Sequence, residues 1–371
     1  MDEGNVKEIE AKSILRKHKK IDSWFISRYG MNLYRGCLHN CVYCDGRSYY
    51  VNGEFGKNIA VKINAIEILR RELASLNHKN GFIMIGGGVG DAYQPAEEKY
   101  KLAKKALQLI SEHSLPVHIL TKSTLIERDI DIIKEINEKS KAIVSFSFSS
   151  VNKDISKIFE PNVASPEERL NTLALFKKEG ISTGMFLLPV IPFITDSPEL
   201  IEEAVKMAKE TVDFIIFGGM TLKEGKQKNY FYNVLQERYP WLIDKYEKIY
   251  KGNKWGEATK EYYDRINKIF NDVSKKYKMP RRIPPAVYKD MLNEKDLVIV
   301  ILEHIDYLLR LDGKKSPFGY AAYSISQLKK PLKKNMLREI KGVGKVTESI
   351  IQEILETGSS SYYEKLLRGE E

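Results

Sequence analysis

From Met31 to about Thr221, short β-branched runs alternate with amphipathic stretches of helical period, and this alternation narrows the possible folds more than any other feature. The spacing predicts strands over 81–85, 117–121, 142–148, 183–190 and 214–217, preceded by one near 31–34. Between them it predicts helices over 63–75, 97–112, 125–139, 166–178 and 198–210, with a sixth after Gly225. Pro166 and Pro198 sit just inside helix starts, behind the N-cap candidates Ser165 and Ser197. A proline there removes only an N–H that would have no helical partner. Strand and helix repeated this regularly imply a parallel sheet with crossover helices. Six units correspond to a partial (β/α)6 barrel over 26–225, an α/β fold whose chemistry gathers at the C-terminal ends of its strands.

The chain is long enough, at 371 residues, to bury a core without covalent staples. Its three cysteines, Cys37, Cys41 and Cys44, all fall in the loop after the first strand. A framework of long-range disulfides is therefore impossible, and metal or redox chemistry in a reducing cytosol is expected. No run approaches the roughly 18 to 20 apolar residues of a membrane span, 297–302 being the best available, so no membrane is expected as a partner. Residues 1–25 lack the basic start and apolar middle of a secretory signal and read as a short leader. They include the cationic run Arg16-Lys17-His18-Lys19-Lys20.

The formal charge of +10 is unevenly distributed. Between Lys314 and Lys345 nine lysines and arginines face a single acid, Glu339, which marks that end as a candidate phosphate-binding surface. Beyond Lys226 the pattern turns helical and rich in tyrosine and lysine until Pro280-Arg281-Arg282-Ile283-Pro284-Pro285 interrupts it. Residues 226–294 thus read as a helical extension and linker, and 295–371 as a compact helical module.

Three thiolates can ligate three irons of a 4Fe-4S cube and leave the fourth iron open to a chelating ligand. The spacing Cys37-xxx-Cys41-xx-Cys44 suits a loop wrapped round one cube. Structural zinc would normally need a fourth ligand, and His39, although inside the loop, has no companion at a usual spacing. With Tyr43 before the third cysteine, this pattern resembles the signature of the radical S-adenosylmethionine (SAM) superfamily. More narrowly, Asn32-Leu33-Tyr34-Arg35-Gly36-Cys37, Gly90-Asp91-Ala92-Tyr93-Gln94-Pro95, Leu120-Thr121-Lys122-Ser123 and Glu160-Pro161 followed by Arg169-Leu170 resemble its spore photoproduct lyase-like branch, the DNA repair photolyases.

The resemblance implies a 4Fe-4S cluster on Cys37, Cys41 and Cys44, with SAM chelated at the open iron and cleaved reductively to a 5'-deoxyadenosyl radical. It implies further that the backbone of Gly86, Gly87 and Gly88 meets the SAM amino group, that Lys122 pairs with the SAM carboxylate and that Tyr43 lies near the adenine. Ser145 and Ser147, on one face of the fourth strand, become candidates for the ribose hydroxyls. Arg169 is expected to pair with Glu160 rather than touch SAM. An external electron donor such as flavodoxin or ferredoxin follows from the same likeness. One departure matters: the branch uses an additional cysteine near the end of its second strand to return a hydrogen atom to product, and this chain has no fourth cysteine.

At the C-terminus, Ile340-Lys341-Gly342-Val343-Gly344-Lys345 followed by an apolar stripe of Ile350, Ile351, Ile354 and Leu355 has the pattern of a helix-hairpin-helix. Its glycines let backbone N–H groups at a helix start face a DNA phosphate. Residues 295–371 together resemble the N-terminal DNA-binding domain of family X DNA polymerases. Some of those domains carry a Schiff-base lysine where this chain has Ile350. The resemblance therefore implies DNA binding without lyase chemistry, through Lys341, Gly342, Gly344 and Lys345.

The sequence as a whole points to a radical SAM enzyme repairing damaged duplex DNA in the manner of a photoproduct lyase. The alternatives are radical SAM modification of RNA or protein, and a non-catalytic iron-sulfur DNA-binding protein.

Overall fold

The computed structural model of the chain describes residues 5–49 and 55–370. Its strands are β1 (Asn5–Ile9), β2 (Leu15–Asp22), β3 (Ser27–Met31), β4 (Tyr34–Arg35), β5 (Asn58–Lys62), β6 (Phe82–Ile85), β7 (Val117–Thr121), β8 (Ala142–Phe148), β9 (Ser182–Val190) and β10 (Phe214–Gly219). Seven of them form one curled sheet in the order β10-β9-β8-β7-β6-β3-β2. Its first six are parallel, and β2 closes the far edge antiparallel to β3. This is the expected partial barrel. A small sheet, β1-β5-β4, stands beside it.

Most differences from the sequence reading lie near the N-terminus. The first barrel strand is 27–31 rather than 31–34, because Ser-Arg-Tyr-Gly-Met contains no β-branched residue to signal it. Both β1 and β2 lie within the stretch expected to be a leader. Strand β2, Leu-Arg-Lys-His-Lys-Lys-Ile-Asp, reads as a charge run because it is a sheet edge whose side chains are largely solvated. The helix expected over 97–112 is broken by Lys101, which takes the left-handed conformation at φ 53°. There the Glu97 carboxylate accepts the N–H groups of Ala103 at 3.0 Å and Lys104 at 3.2 Å, serving the start of the second piece, Leu102–Glu112. The helix Pro166–Lys178 matches its expected bounds, with Ser165 and Glu168 completing a capping box.

The two faces of the sheet bury different partners. Ile83, Ile85, Ile119, Val144, Phe146, Met185 and Ile215 face the crossover helices. Phe82, Ile143, Phe186, Phe214 and Ile216, on alternate positions, share a second core with Leu297, Ile301, Ile305 and Leu308 of the helix Glu294–Leu311. Several of these sheet residues begin their strands, so the C-terminal helices seal the N-terminal end of the half barrel. Arg28 to Asp296 at 2.6 Å, His304 Nε2 to the Ser23 carbonyl at 2.7 Å and Arg281 to the Leu366 carbonyl at 2.6 Å strengthen the joint. Residues 295–371 therefore complete the barrel's inner core instead of standing apart from it. A half barrel cannot leave its apolar interior open to water, and this segment fills it.

Candidate active site

The cysteine loop turns on Gly36 and Asn40, both at positive φ. Its surroundings hold it from three sides. Gln94, in the loop after β6, accepts the Leu38 N–H at 3.0 Å and donates to the Gly36 carbonyl at 3.2 Å. From the segment after β8, the Phe159 carbonyl accepts the Val42 N–H at 2.9 Å. Gln227, after β10, donates to the Tyr43 carbonyl at 2.8 Å. Within the loop, Arg47 donates to the carbonyls of Asn40 and Cys41, both at 3.1 Å. His39 bridges the Asn162 carbonyl and Asp91, each at 3.1 Å.

Cys37 and Cys41 are buried and Cys44 is half-buried, all three as free thiols. Burial, and after it the charges of Asp91 and the other two cysteines, pushes the Cys37 thiol well up. Burial likewise pushes Cys41 up to about 12, although the Lys122 charge pulls the other way. Buried thiols so reluctant to ionise suit a cationic iron centre, which supplies the missing countercharge. Among the described residues no three His, Cys, Asp or Glu side chains converge closely enough to hold a single metal ion. A cube does not require such convergence, since each thiolate takes a different iron. The donor set fits a 4Fe-4S cluster.

Beside the loop, at the C-terminal ends of β7 and β8, lies a buried charge cluster. Lys122 donates to Ser147 Oγ at 2.7 Å and to Glu160 Oε1 at 3.2 Å, and its ammonium lies 5.6 Å from the Tyr43 ring centre. The Tyr43 hydroxyl donates to the same carboxylate. Arg169 pairs with Glu160 at 2.7 Å and donates to the Ser147 carbonyl at 2.6 Å. Burial pushes the Glu160 carboxyl up, yet the Arg169 and Lys122 charges beside it more than offset this and hold it well below the usual range. Asp91 behaves alike: burial opposes ionisation, but hydrogen bonds from His39, Tyr93 and the Lys122 N–H keep its carboxyl low. Its carboxylate also accepts from Thr121 at 2.8 Å, so Asp91 ties the cysteine loop to the end of β7.

Gly86 is at φ 90°, and a Cβ there would fall 2.0 Å from the Leu120 carbonyl, so only glycine fits. A Cβ on Gly88 would meet open space. Gly86, Gly87 and Gly88 line a cavity of about 390 Å³ together with Asp91, Ala92 and residues of β2 and β3. Ser147 is at the site, whereas Ser145 is fully buried one layer below, bonded at 2.8 Å to His118 Nε2. The alternation that puts both serines on one face does not settle their depth. Sequence reasoning passed over Asp91, Gln94 and Arg47 as site residues. Asp91 and Gln94 lie in a motif already picked out for its likeness, but nothing local shows that they brace the cysteine loop.

The hairpin at 340–345 is preceded by a 3-10 turn, Lys334–Glu339, and opens the helix Lys345–Thr357. Gly342 is at φ 85° against Tyr320, and Lys341, Gly344 and Lys345 are exposed. These residues belong to the segment that seals the N-terminal end of the barrel, whereas the cysteines stand at the C-terminal end.

Residues 31–208 match the Radical SAM superfamily. An uncharacterised protein of Methanocaldococcus jannaschii is 30% identical over 253 residues, covering 67% of this chain and 87% of its own length. The chain belongs to the radical SAM superfamily. An uncharacterised protein of Mycobacterium tuberculosis is 27% identical over 231 residues, 60% of this radical SAM chain and 67% of that protein. Spore photoproduct lyase complexed with dinucleoside spore photoproduct superposes with a TM-score of 0.55 over 73% of this chain and 79% of that one. Identity there is 16%, so what the two share is the fold. A doubly substituted spore photoproduct lyase with bound AdoMet and dinucleoside spore photoproduct aligns at a TM-score of 0.52 and 18% identity, over 71% of this chain and 78% of that one. Radical SAM proteins use a 4Fe-4S cluster and S-adenosylmethionine, and these are the cofactors of this chain. No helix among the described residues is long and apolar enough to cross a membrane.

Proposed function

We propose that this radical SAM protein acts on a DNA lesion in the manner of spore photoproduct lyase. Cys37, Cys41 and Cys44 hold the cluster, and the hairpin residues Lys341, Gly342, Gly344 and Lys345 grip duplex phosphates. The observation that carries the reading is one juxtaposition. The three-thiol loop and the Lys122–Ser147–Glu160–Tyr43 cluster meet at the C-terminal strand ends of a half barrel with the spore photoproduct lyase fold.

When bound and reduced, the cofactor pair supplies a 5'-deoxyadenosyl radical. The chain's own residues bind and orient. Lys122 offers an ammonium, already poised by Glu160, to the SAM carboxylate. Gly86 to Gly88 let backbone approach the amino group, Ser147 is the serine placed to meet a ribose hydroxyl, and Tyr43 presents its ring towards the adenine. Arg169 keeps the Glu160 carboxylate compensated when Lys122 turns to its ligand. A base must leave the stack to reach such a site, so distortion of the duplex is part of the reading. The electron for the cluster would come from an external donor such as flavodoxin or ferredoxin. With no fourth cysteine, the hydrogen atom returned to product comes from a group other than a thiol of this chain.

The test incubates anaerobically reconstituted protein with SAM, dithionite and UV-irradiated DNA, then digests the DNA and follows nucleosides by mass spectrometry. Loss of one thymine photoproduct is expected. SAM cleavage with every photoproduct unchanged would reject DNA photodamage as the substrate.

A further inference from the structure

The hairpin's segment closes one end of the barrel and the cysteine loop stands at the other, so something must carry a polyanion between them. Strand β2 runs that height. Its eight residues span about 25 Å at the usual strand rise. Near one end Lys20 pairs with Glu303 of the C-terminal helix Glu294–Leu311. At the other, Leu15 and Arg16 pair with Met31 and Gly30, just before the cysteine loop. The strand is the free edge of the sheet, and none of its basic residues has yet been given a role.

Alternation divides that run into two sets. Arg16 and His18 line the 390 Å³ cavity together with Ile14 and Asp22, in company with Gly86 to Gly88. Lys17 and Lys19 are exposed and do not line it. Neither the Arg16 nor the His18 side chain has an ion-pair or hydrogen-bond partner among the described residues. The cavity's two carboxylates, by contrast, are engaged: Asp22 by the Trp24 N–H at 2.8 Å, and Asp91 by Thr121, Tyr93 and Lys122. A second sign of a missing ligand is Ser27, fully buried in the cavity wall with its hydroxyl unpartnered.

We propose that the β2 side of this cavity, beside the glycine wall given above to SAM, receives substrate, and that Arg16 and His18 bind a phosphate of the DNA strand whose lesion enters it. This rests on the DNA reading given above. The two residues act as substrate-binding groups, holding the strand beside the glycine wall while the hairpin holds the duplex at the other end. An uncommitted guanidinium beside an imidazole free to hydrogen-bond is what a phosphate requires, since ion-paired lysines and arginines have already surrendered their charge.

The test measures binding of a fluorescein-labelled, UV-irradiated 16-base-pair duplex to the reconstituted full-length protein by anisotropy, across a salt series. Arg16→Ala with His18→Ala should weaken binding about tenfold, with a log-log salt slope shallower by about 0.9 for each phosphate that is no longer neutralised. Arg16→Lys should recover most of the affinity. Arg16 is exposed, so its replacement removes little packing, and thermal melting confirms that each variant is folded. Lys17→Ala with Lys19→Ala, which removes more charge from the same strand but away from the cavity, should cost less than threefold. Equal losses in the two double variants would reduce the effect to general electrostatics and overturn the pocket assignment. Wild-type affinity and slope in the Arg16/His18 variant would overturn it too, while leaving the DNA reading standing if the wild type still binds and repairs. A wild type that binds this duplex with no salt dependence, or not at all, overturns both.

Discussion

Cys37, Cys41 and Cys44 have no substitute within the chain, which sets them apart from every other residue of the site. Each Cys→Ala replacement should abolish the broad iron-sulfur absorbance of the reconstituted protein and with it all reductive SAM cleavage. Lys122→Ala should instead keep the absorbance and weaken SAM binding roughly tenfold in equilibrium dialysis, because it removes one charge-assisted hydrogen bond and leaves Glu160 paired with Arg169. Unchanged SAM affinity would take Lys122 out of the site. Two histidines outside the reaction give a separate, pH-dependent signature. Burial lowers His118 from 6.5 to about 4, and burial together with the Arg282 charge lowers His304 from 6.5 to about 3. As pH falls below 6.5 the unfolded chain takes up protons that the folded chain refuses, so stability falls with pH until the folded pKa values are reached. From pH 7 to pH 5 each histidine should cost about 2 kcal/mol. Urea unfolding at the two pH values measures this, and equal stabilities would contradict it.

At the scale of elements, the helix Glu294–Leu311 is the one whose role changed most between sequence and structure. Its apolar run suggested the first helix of a DNA-binding module, but Ile301 and Ile305 are fully buried in the core that fills the barrel interior. A charge placed there has no partner, so Ile305→Asp should destabilise the whole protein by at least about 3 kcal/mol and lower the barrel and C-terminal signals in one urea transition. Val346→Asp, on the hairpin surface at 69% exposed, should change stability by less than about 0.5 kcal/mol. Two separate transitions in the Ile305 variant would show that the segments fold independently after all. The same shared core means that cutting the chain before residue 295 exposes the barrel's inner face, so the roles of the two ends are better separated by surface substitutions than by truncation.

At the scale of the whole molecule, the half barrel places the cysteine loop at one end, the hairpin segment at the other and β2 along its free edge. The parts of this arrangement that could be read from the chain are those written in local periodicity. The strands at 117–121 and 142–148 and the helix at 166–178 took their expected bounds because β-branched runs, a proline behind an N-cap serine and an apolar stripe act within a few residues of one another. Three cysteines at short spacing likewise point to cluster chemistry, since one loop can offer three thiolates. What the chain could not disclose depends on partners far away in sequence. A run of five basic residues becomes a strand because β3 offers it an edge, and an apolar helix becomes barrel core because six strands leave an interior to fill. Ser145 is buried and Ser147 lies at the site because the barrel's depth, not the alternation, separates them, and Asp91 braces a loop more than fifty residues before it. The barrel's repeating strands and helices and the spacing of its thiols are short-range features, legible in the sequence alone. Which face is covered, which charge stays free and which end meets which are set by packing, and only the tertiary structure decided them.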